Sequence, residues 1–124
     1  MSVSVLDMIP SDSPVIPFSG GKVVFPQGAP GDKMFVVLDG QVDITLNGKV
    51  VESVRRGGII GEMALIDSRP RSAAAIAKIH SLLIPIDEQR FNTLVKNRPE
   101  FALHIMRILV DRLRRMDAGL ASLF

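Results

Sequence analysis

The sequence predicts a mainly β domain closed off by C-terminal helices. Three observations carry that prediction. Gly and Pro punctuate residues 14–86 at short intervals, the runs between them are β-prone, and from residue 87 onward apolar residues recur at helical spacing. The 124 residues suit one domain. A chain of this size buries a hydrophobic core without metals or disulfides.

The elements follow in chain order. Residues 1–13 are short and polar and are expected to form a flexible N-terminal segment. Turn signals then fall at Gly20-Gly21, Pro26, Gly28, Pro30-Gly31, Gly40, Gly48 and Gly57-Gly58. Between them lie the β-prone runs Lys22–Phe25, Met34–Leu38, Gln41–Leu46, Val50–Val54, Ala73–Ile79 and Ser81–Ile86. Asn47-Gly48 between two of these runs is a two-residue hairpin signal. Short strands at this spacing indicate a sandwich or a barrel over residues 14–86. Asp87 is a suitable N-cap for a helix carrying Phe91, Leu94 and Val95 on one face. After a break at Asn97-Arg98, Pro99 suits the first turn of a longer helix. That helix carries one apolar strip of Phe101, Ile105, Ile108, Leu109, Leu113 and Met116, and a second of Leu103, Met106 and Val110. One strip can cover the β domain. The second either wraps over the same domain or meets a twin helix, which makes the expected assembly a homodimer. The domain is expected to end near residue 118, with 119–124 as a tail.

Composition narrows the function classes. The chain is 47% hydrophobic and 23% charged, ordinary for a soluble globular protein. It has no cysteine, which removes disulfides, thiol nucleophiles and cysteine-zinc sites and is compatible with a cytoplasmic location. No secretory signal is expected at the N-terminus, and no window is long and apolar enough for a membrane span. The net charge of +2 is weak support for nucleic-acid binding. His80 and His104 are isolated and predict no metal site. Arg112-Leu113-Arg114-Arg115 is read as a solvated helix face rather than a DNA contact, since a helix-turn-helix module does not fit in the residues that follow. No phosphate-loop motif, nucleophile elbow or paired catalytic carboxylates are present, so no enzymatic activity is expected.

The chemistry concentrates in residues 57–77. A glycine-rich turn leads into a short helix-compatible stretch, Glu62–Ile66, then a tight loop, Asp67–Pro70, then Arg71 ahead of a strand of small residues. Unpaired N–H groups at a helix start suit an anion. The planar fork of Arg71 matches two phosphate oxygens. Glu62 would repel a phosphate, so it makes sense facing a neutral donor such as a sugar hydroxyl, or paired with an arginine.

The segment GEMALIDSRPRSAA, residues 61–74, resembles the phosphate-binding cassette of cyclic-nucleotide-binding domains, with G-E-apolar-A-L followed by P-R-small-A. The spacing of Glu62 and Arg71 is similar to that in regulatory subunits of the cyclic-AMP-dependent kinase. Gly28–Val37 with Gly40-Gln41-Val42 resembles the family's strands upstream of the cassette. Ile86–Asn97 and Pro99–Arg115 resemble the paired helices of catabolite-activator-type proteins. The resemblance covers roughly residues 20–117. It implies a double-stranded β-helix, or jelly-roll barrel, followed by two α-helices. It also implies ligand contacts from Gly61, Glu62, Met63, Ala64, Arg71, Ser72 and Ala73. In that reading Glu62 accepts from the ribose 2′-hydroxyl, Arg71 holds the cyclic phosphate, and the N–H groups of Ala64 and Ser72 complete the cradle. Cyclic-GMP selectivity in the family often accompanies threonine at the Ser72 position, so the expected ligand is cAMP, with cGMP as the alternative. Met116 and Asp117 are candidate base contacts.

Three function classes stay open: a cyclic-nucleotide module whose ligand repositions residues 87–117 to signal to an unnamed protein partner, a degenerate jelly-roll in which Glu62 and Arg71 form an internal ion pair, and a small cupin-like enzyme. No direct DNA contact, membrane contact, metal or other cofactor is expected.

Overall fold

The computed structural model describes residues 4–120, with side-chain surroundings through Arg115. Among the described residues, eight strands and three α-helices follow an N-terminal 3-10 turn, Val5–Met8. The strands are β1 (Ile16–Phe18), β2 (Val23–Phe25), β3 (Lys33–Asp39), β4 (Gln41–Leu46), β5 (Lys49–Arg55), β6 (Ile59–Ile60), β7 (Ala74–Ala77) and β8 (Ser81–Asp87). The helices are α1 (Glu62–Asp67), α2 (Glu88–Asn97) and α3 (Glu100–Leu120).

All strand pairs are antiparallel, in two four-stranded sheets ordered β1-β8-β3-β6 and β2-β7-β4-β5. The jelly-roll class is as expected, but the two sheets face each other and do not close into one hydrogen-bonded barrel. The expected hairpin is present. Asn47 and Gly48 both take positive φ, 52° and 83°, as a turn matched to the right-handed strand twist requires.

Alternation along β3 explains where the core sits. Successive side chains leave opposite faces of a strand. Met34 and Val36 point one way, into a cluster with Ile84, Ile86, Leu94, Phe101 and Ile105 that joins the sheet to α2 and α3. Phe35 and Val37 point the other way, into the space between the sheets with Val42, Val54, Ile60, Ala75 and Leu83. The strand is therefore buried on both faces and reads as a continuous apolar run.

The segment before Pro14 differs from expectation. Val5 and Met8 are buried in the helix-side cluster, because Ser4 caps the turn and aims both side chains under α3. The packed body thus starts before the segment expected to be flexible ends. Helix α2 is capped by Asp87, whose Oδ1 accepts from the Arg90 N–H at 2.8 Å. On α3, Phe101 and Ile105 are buried and Ile108 and Leu109 pack on the core. Leu113 does not continue that strip. It is 57% exposed and shares an outer face with Leu103, Met106 and Val110, because it stands seven positions, about two turns, after Met106. No helix among the described residues is long and apolar enough to cross a membrane.

Candidate functional site

Arg71 is the centre of the site. Its backbone is locked to the loop before β3, the Arg71 N–H donating to the Ala29 carbonyl and the Arg71 carbonyl accepting from the Gly28 N–H, both at 2.8 Å. This pairing is made possible by α1 and its exit. Gly61 starts the helix with φ of 75°, and Ser68 ends it with φ of 57° and an N–H bonded to the Ala64 carbonyl. Asp67 Oδ1 then accepts from the Arg69 N–H at 3.0 Å, turning the chain back toward β7.

The side chain of Arg71 is 7% exposed. Nη1 donates to the Gly61 carbonyl at 2.9 Å and Nη2 to the Lys33 carbonyl at 2.6 Å. The guanidinium lies over the Phe25 ring, 4.0 Å from its centroid. Phe25 is in turn stacked on Phe35, which meets Phe18 edge-on, so an aromatic row holds the floor of the site. The space is made by glycines. A Cβ on Gly31 would stand 2.6 Å from Arg71 Cζ, and one on Gly61 would stand 2.5 Å from Nη1.

One guanidinium nitrogen is left without a partner. Arg71 Nε is buried and has no hydrogen-bond partner among the described residues. A buried donor without an acceptor costs about 1–3 kcal/mol, so a site like this suits an anion whose oxygen meets that N–H. Desolvation lowers the Arg71 pKa, opposed by the charges of Asp32 and Glu62.

Glu62, the first residue of α1, is 2% exposed and does not pair with Arg71. The internal Glu62–Arg71 ion pair held open by the sequence is therefore not what forms. Instead, Glu62 Oε1 pairs with Nη1 of Arg112 from α3. Arg112 Nη2 also donates to the Ile59 carbonyl at 2.8 Å and to Glu52 Oε2 of β5 at 2.9 Å. Desolvation pulls the Arg112 pKa down, but the Glu52 hydrogen bond and the charges of Glu62 and Glu52 outweigh it and hold the group above its ordinary value.

The solvated-face reading of Arg112 is thus corrected, since its side chain is only 23% exposed. Helical geometry explains why. Arg112 stands eleven positions after buried Phe101, which is within ~20° of the same direction, so the inward strip ends on this arginine. That periodicity was the available signal. Glu52, Phe25, Gly31 and the Lys33 carbonyl carried none.

The other expected residues are distributed as follows. Gly61 and Ala64 line the Arg71 pocket, with Ala64 7% exposed. Met63 is 50% exposed on the outside of α1. Ser72 is exposed and Ala73 half-buried, both in the bend between Arg71 and β7. The α3 backbone runs through Met116 and Asp117, whose side chains lie outside the described residues. A cavity of about 650 Å³ lies elsewhere, between the N-terminal turn and α2, where Met8, Pro10, Arg90 and Leu94 line it. Neither Glu62 nor Arg71 borders that cavity.

The family model described as cyclic nucleotide-binding domain matches residues 15–98. A CRP-like cAMP-activated global transcriptional regulator of Mycobacterium tuberculosis is 26% identical over 113 residues, covering 87% of this chain and 50% of the regulator. Among solved structures, the catabolite activator protein of Thermus thermophilus superposes with a TM-score of 0.83 at 28% identity, over 96% of this chain and 57% of that one. A protein from a cyclic-GMP-dependent signalling pathway that regulates bacterial phytopathogenesis superposes with a TM-score of 0.79 at 27% identity, over 93% and 95% of the two chains. The chain thus spans about half the length of the transcriptional regulator it matches.

Proposed function

The chain belongs to the cyclic nucleotide-binding domain family, and from that membership we propose that its Gly61–Ala73 segment binds a cyclic nucleotide. Arg71 takes the cyclic phosphate and Glu62 the ribose 2′-hydroxyl. The observation that carries this reading is the Arg71 guanidinium, clamped by two carbonyls over Phe25 with its buried Nε–H unmatched. A fork held this rigidly loses little freedom on binding a phosphate. The Ser72 N–H and hydroxyl and the Ala64 N–H complete the anion cradle in this reading. Glu62 fits the ribose because only its Oε1 is engaged by Arg112, and its Oε2 accepts no hydrogen bond among the described residues.

The ligand we propose is cAMP. Ser72 supports it, since threonine in that position often accompanies selectivity for cGMP. The cAMP-activated mycobacterial regulator points the same way. The second reading, cGMP, draws its support from the similarity to a protein of a cyclic-GMP-dependent pathway along nearly all of that protein's length.

The Glu62–Arg112 pair supports a route for the signal. The carboxylate proposed to meet the ribose is the same one that α3 grips, so the ligand stabilises one placement of α3 over others. Leu103, Met106, Val110 and Leu113 form an exposed apolar row at heptad-like spacing on that helix, which fits a homodimer seam with a second copy. Output then passes to a partner protein from α2 and α3, in a cytoplasmic setting, and the role is binding rather than catalysis.

A thermal-shift panel of cAMP, cGMP, a cyclic dinucleotide and 5′-AMP tests the reading. At 100-fold excess over the dissociation constant, a ligand adds about 2.7 kcal/mol, a rise in Tm on the order of 10 °C for a domain of this size. A flat response to every cyclic mononucleotide would remove the assignment.

A further inference from the structure

Glu52 is an acid in an unusual place. It sits on β5, opposite Ile44 of β4, and on the same strand face as Val54, which is buried between the sheets. Next to it the β4–β5 register slips, leaving Val51 as an extra residue. Such bulges bend a strand and re-aim its side chains, and they gather beside binding sites. Here the bulge lies where the Glu52 carboxylate reaches across to α3. Its oxygens accept from Arg112 Nε at 3.2 and 3.3 Å and from Nη2 at 2.9 Å, and Arg115 Nη1 adds a contact at 3.3 Å.

Arg112 is therefore held on two edges by Glu52 and the Ile59 carbonyl, and its remaining Nη1 is what grips Glu62. Take Glu52 away and the guanidinium keeps only Ile59 and Glu62, with the freedom to rotate about them. Glu62 itself is the first residue of a six-residue helix and has no other side-chain partner among the described residues. Its orientation depends on that single arginine.

We propose that Glu52 is a positioning residue that sets ribose recognition. It fixes Arg112, and Arg112 fixes the Glu62 carboxylate in the attitude in which its second oxygen accepts the 2′-hydroxyl. The inference rests on the reading that Glu62 meets the ribose. It adds that the strength of this bond is governed from β5, by a residue that does not touch the ligand.

The test is the preference for a ribose over a 2′-deoxyribose ligand. Calorimetric titration of cAMP, cGMP and their 2′-deoxy forms into the wild-type chain gives the discrimination ratio. A hydrogen bond to a charged group contributes roughly tenfold to a hundredfold in affinity, so the wild-type ratio is expected in that range. In Glu52→Gln the ratio falls at least threefold because the ribo ligand weakens, while the 2′-deoxy ligand keeps its affinity within about twofold. Glu52→Thr, which suits a strand, reads the same ratio if the glutamine variant does not fold. A ratio that stays at the wild-type value, or rises, overturns the proposal. So does an equal weakening of both ligands, which marks a merely structural role. If the wild-type chain binds none of the four nucleotides, the ribose assignment fails first and takes this inference with it. If it binds them without caring about Glu52, only the inference fails.

Discussion

Replacing Gly31 with alanine perturbs Arg71 without touching it covalently. Gly31 does not require a left-handed backbone, so the substitution carries no conformational strain of its own. Its Cβ, however, would stand 2.6 Å from Arg71 Cζ and 2.9 Å from the Ala64 Cβ. Ordinary carbon contacts lie at about 3.5–4.0 Å, so the guanidinium must move by about 1 Å. That shift breaks the bonds to the Gly61 and Lys33 carbonyls, now 2.9 and 2.6 Å. Two lost hydrogen bonds from a charged donor cost about 3–6 kcal/mol, partly offset by the smaller unfolded-state entropy of alanine, for a net destabilisation of about 2–5 kcal/mol. Binding weakens as well. A guanidinium displaced by about 1 Å loses the proposed Nε–H bond to a phosphate oxygen, which costs about 1.5–3 kcal/mol or roughly tenfold to a hundredfold in affinity. Urea denaturation gives the first number and calorimetric titration with cAMP the second. A variant that folds with Arg71 undisturbed and binds with wild-type affinity would refute the reasoning.

Other outcomes follow from the same contacts. Arg112→Met leaves Glu62 buried without its cation, and breaking a buried pair costs about 3–5 kcal/mol. The partial exposure of Arg112, 23% of its side chain, lowers the expected loss to about 2–3 kcal/mol in urea denaturation. Ser68→Gly relieves the left-handed conformation at the end of α1, φ 57°, and should raise stability by about 0.5–1 kcal/mol in the same assay. Met106→Asp, at an outer α3 position 58% exposed, should convert a dimer to a monomer in sedimentation velocity while the chain stays folded, with Tm lowered by the lost assembly. A monomeric wild-type chain would refute the proposed seam.

The longer strands and both C-terminal helices were legible because each reports on its own periodicity and punctuation. Gln41–Leu46 matches β4 residue for residue, and Asp87 caps α2 as its position predicts. β1 and β6 were not legible, for they are three and two residues long and exist through pairing with β8 and β3. The N-terminal turn was missed for a similar reason, since two apolar side chains in a polar stretch gain their burial only from distant elements, β3 and α3. In the site, Glu62 and Arg71 stood out because one contiguous segment carries both. Their supports come from far along the chain, Glu52 sixty positions before Arg112 and Lys33 thirty-eight before Arg71. No local pattern links such pairs. Arg112 is the intermediate case, a charge that looked solvated but lay on the inward face of α3.

The central claim is that Arg71 holds the phosphate of a cyclic nucleotide. Isothermal titration of cAMP and cGMP into the wild-type chain and into Arg71→Ala tests it most directly. Removing a desolvated charge partner costs about 2–5 kcal/mol, so the alanine variant should bind the preferred nucleotide at least about thirtyfold more weakly. Unchanged affinity in the variant, or no binding heat in the wild type, would contradict the account.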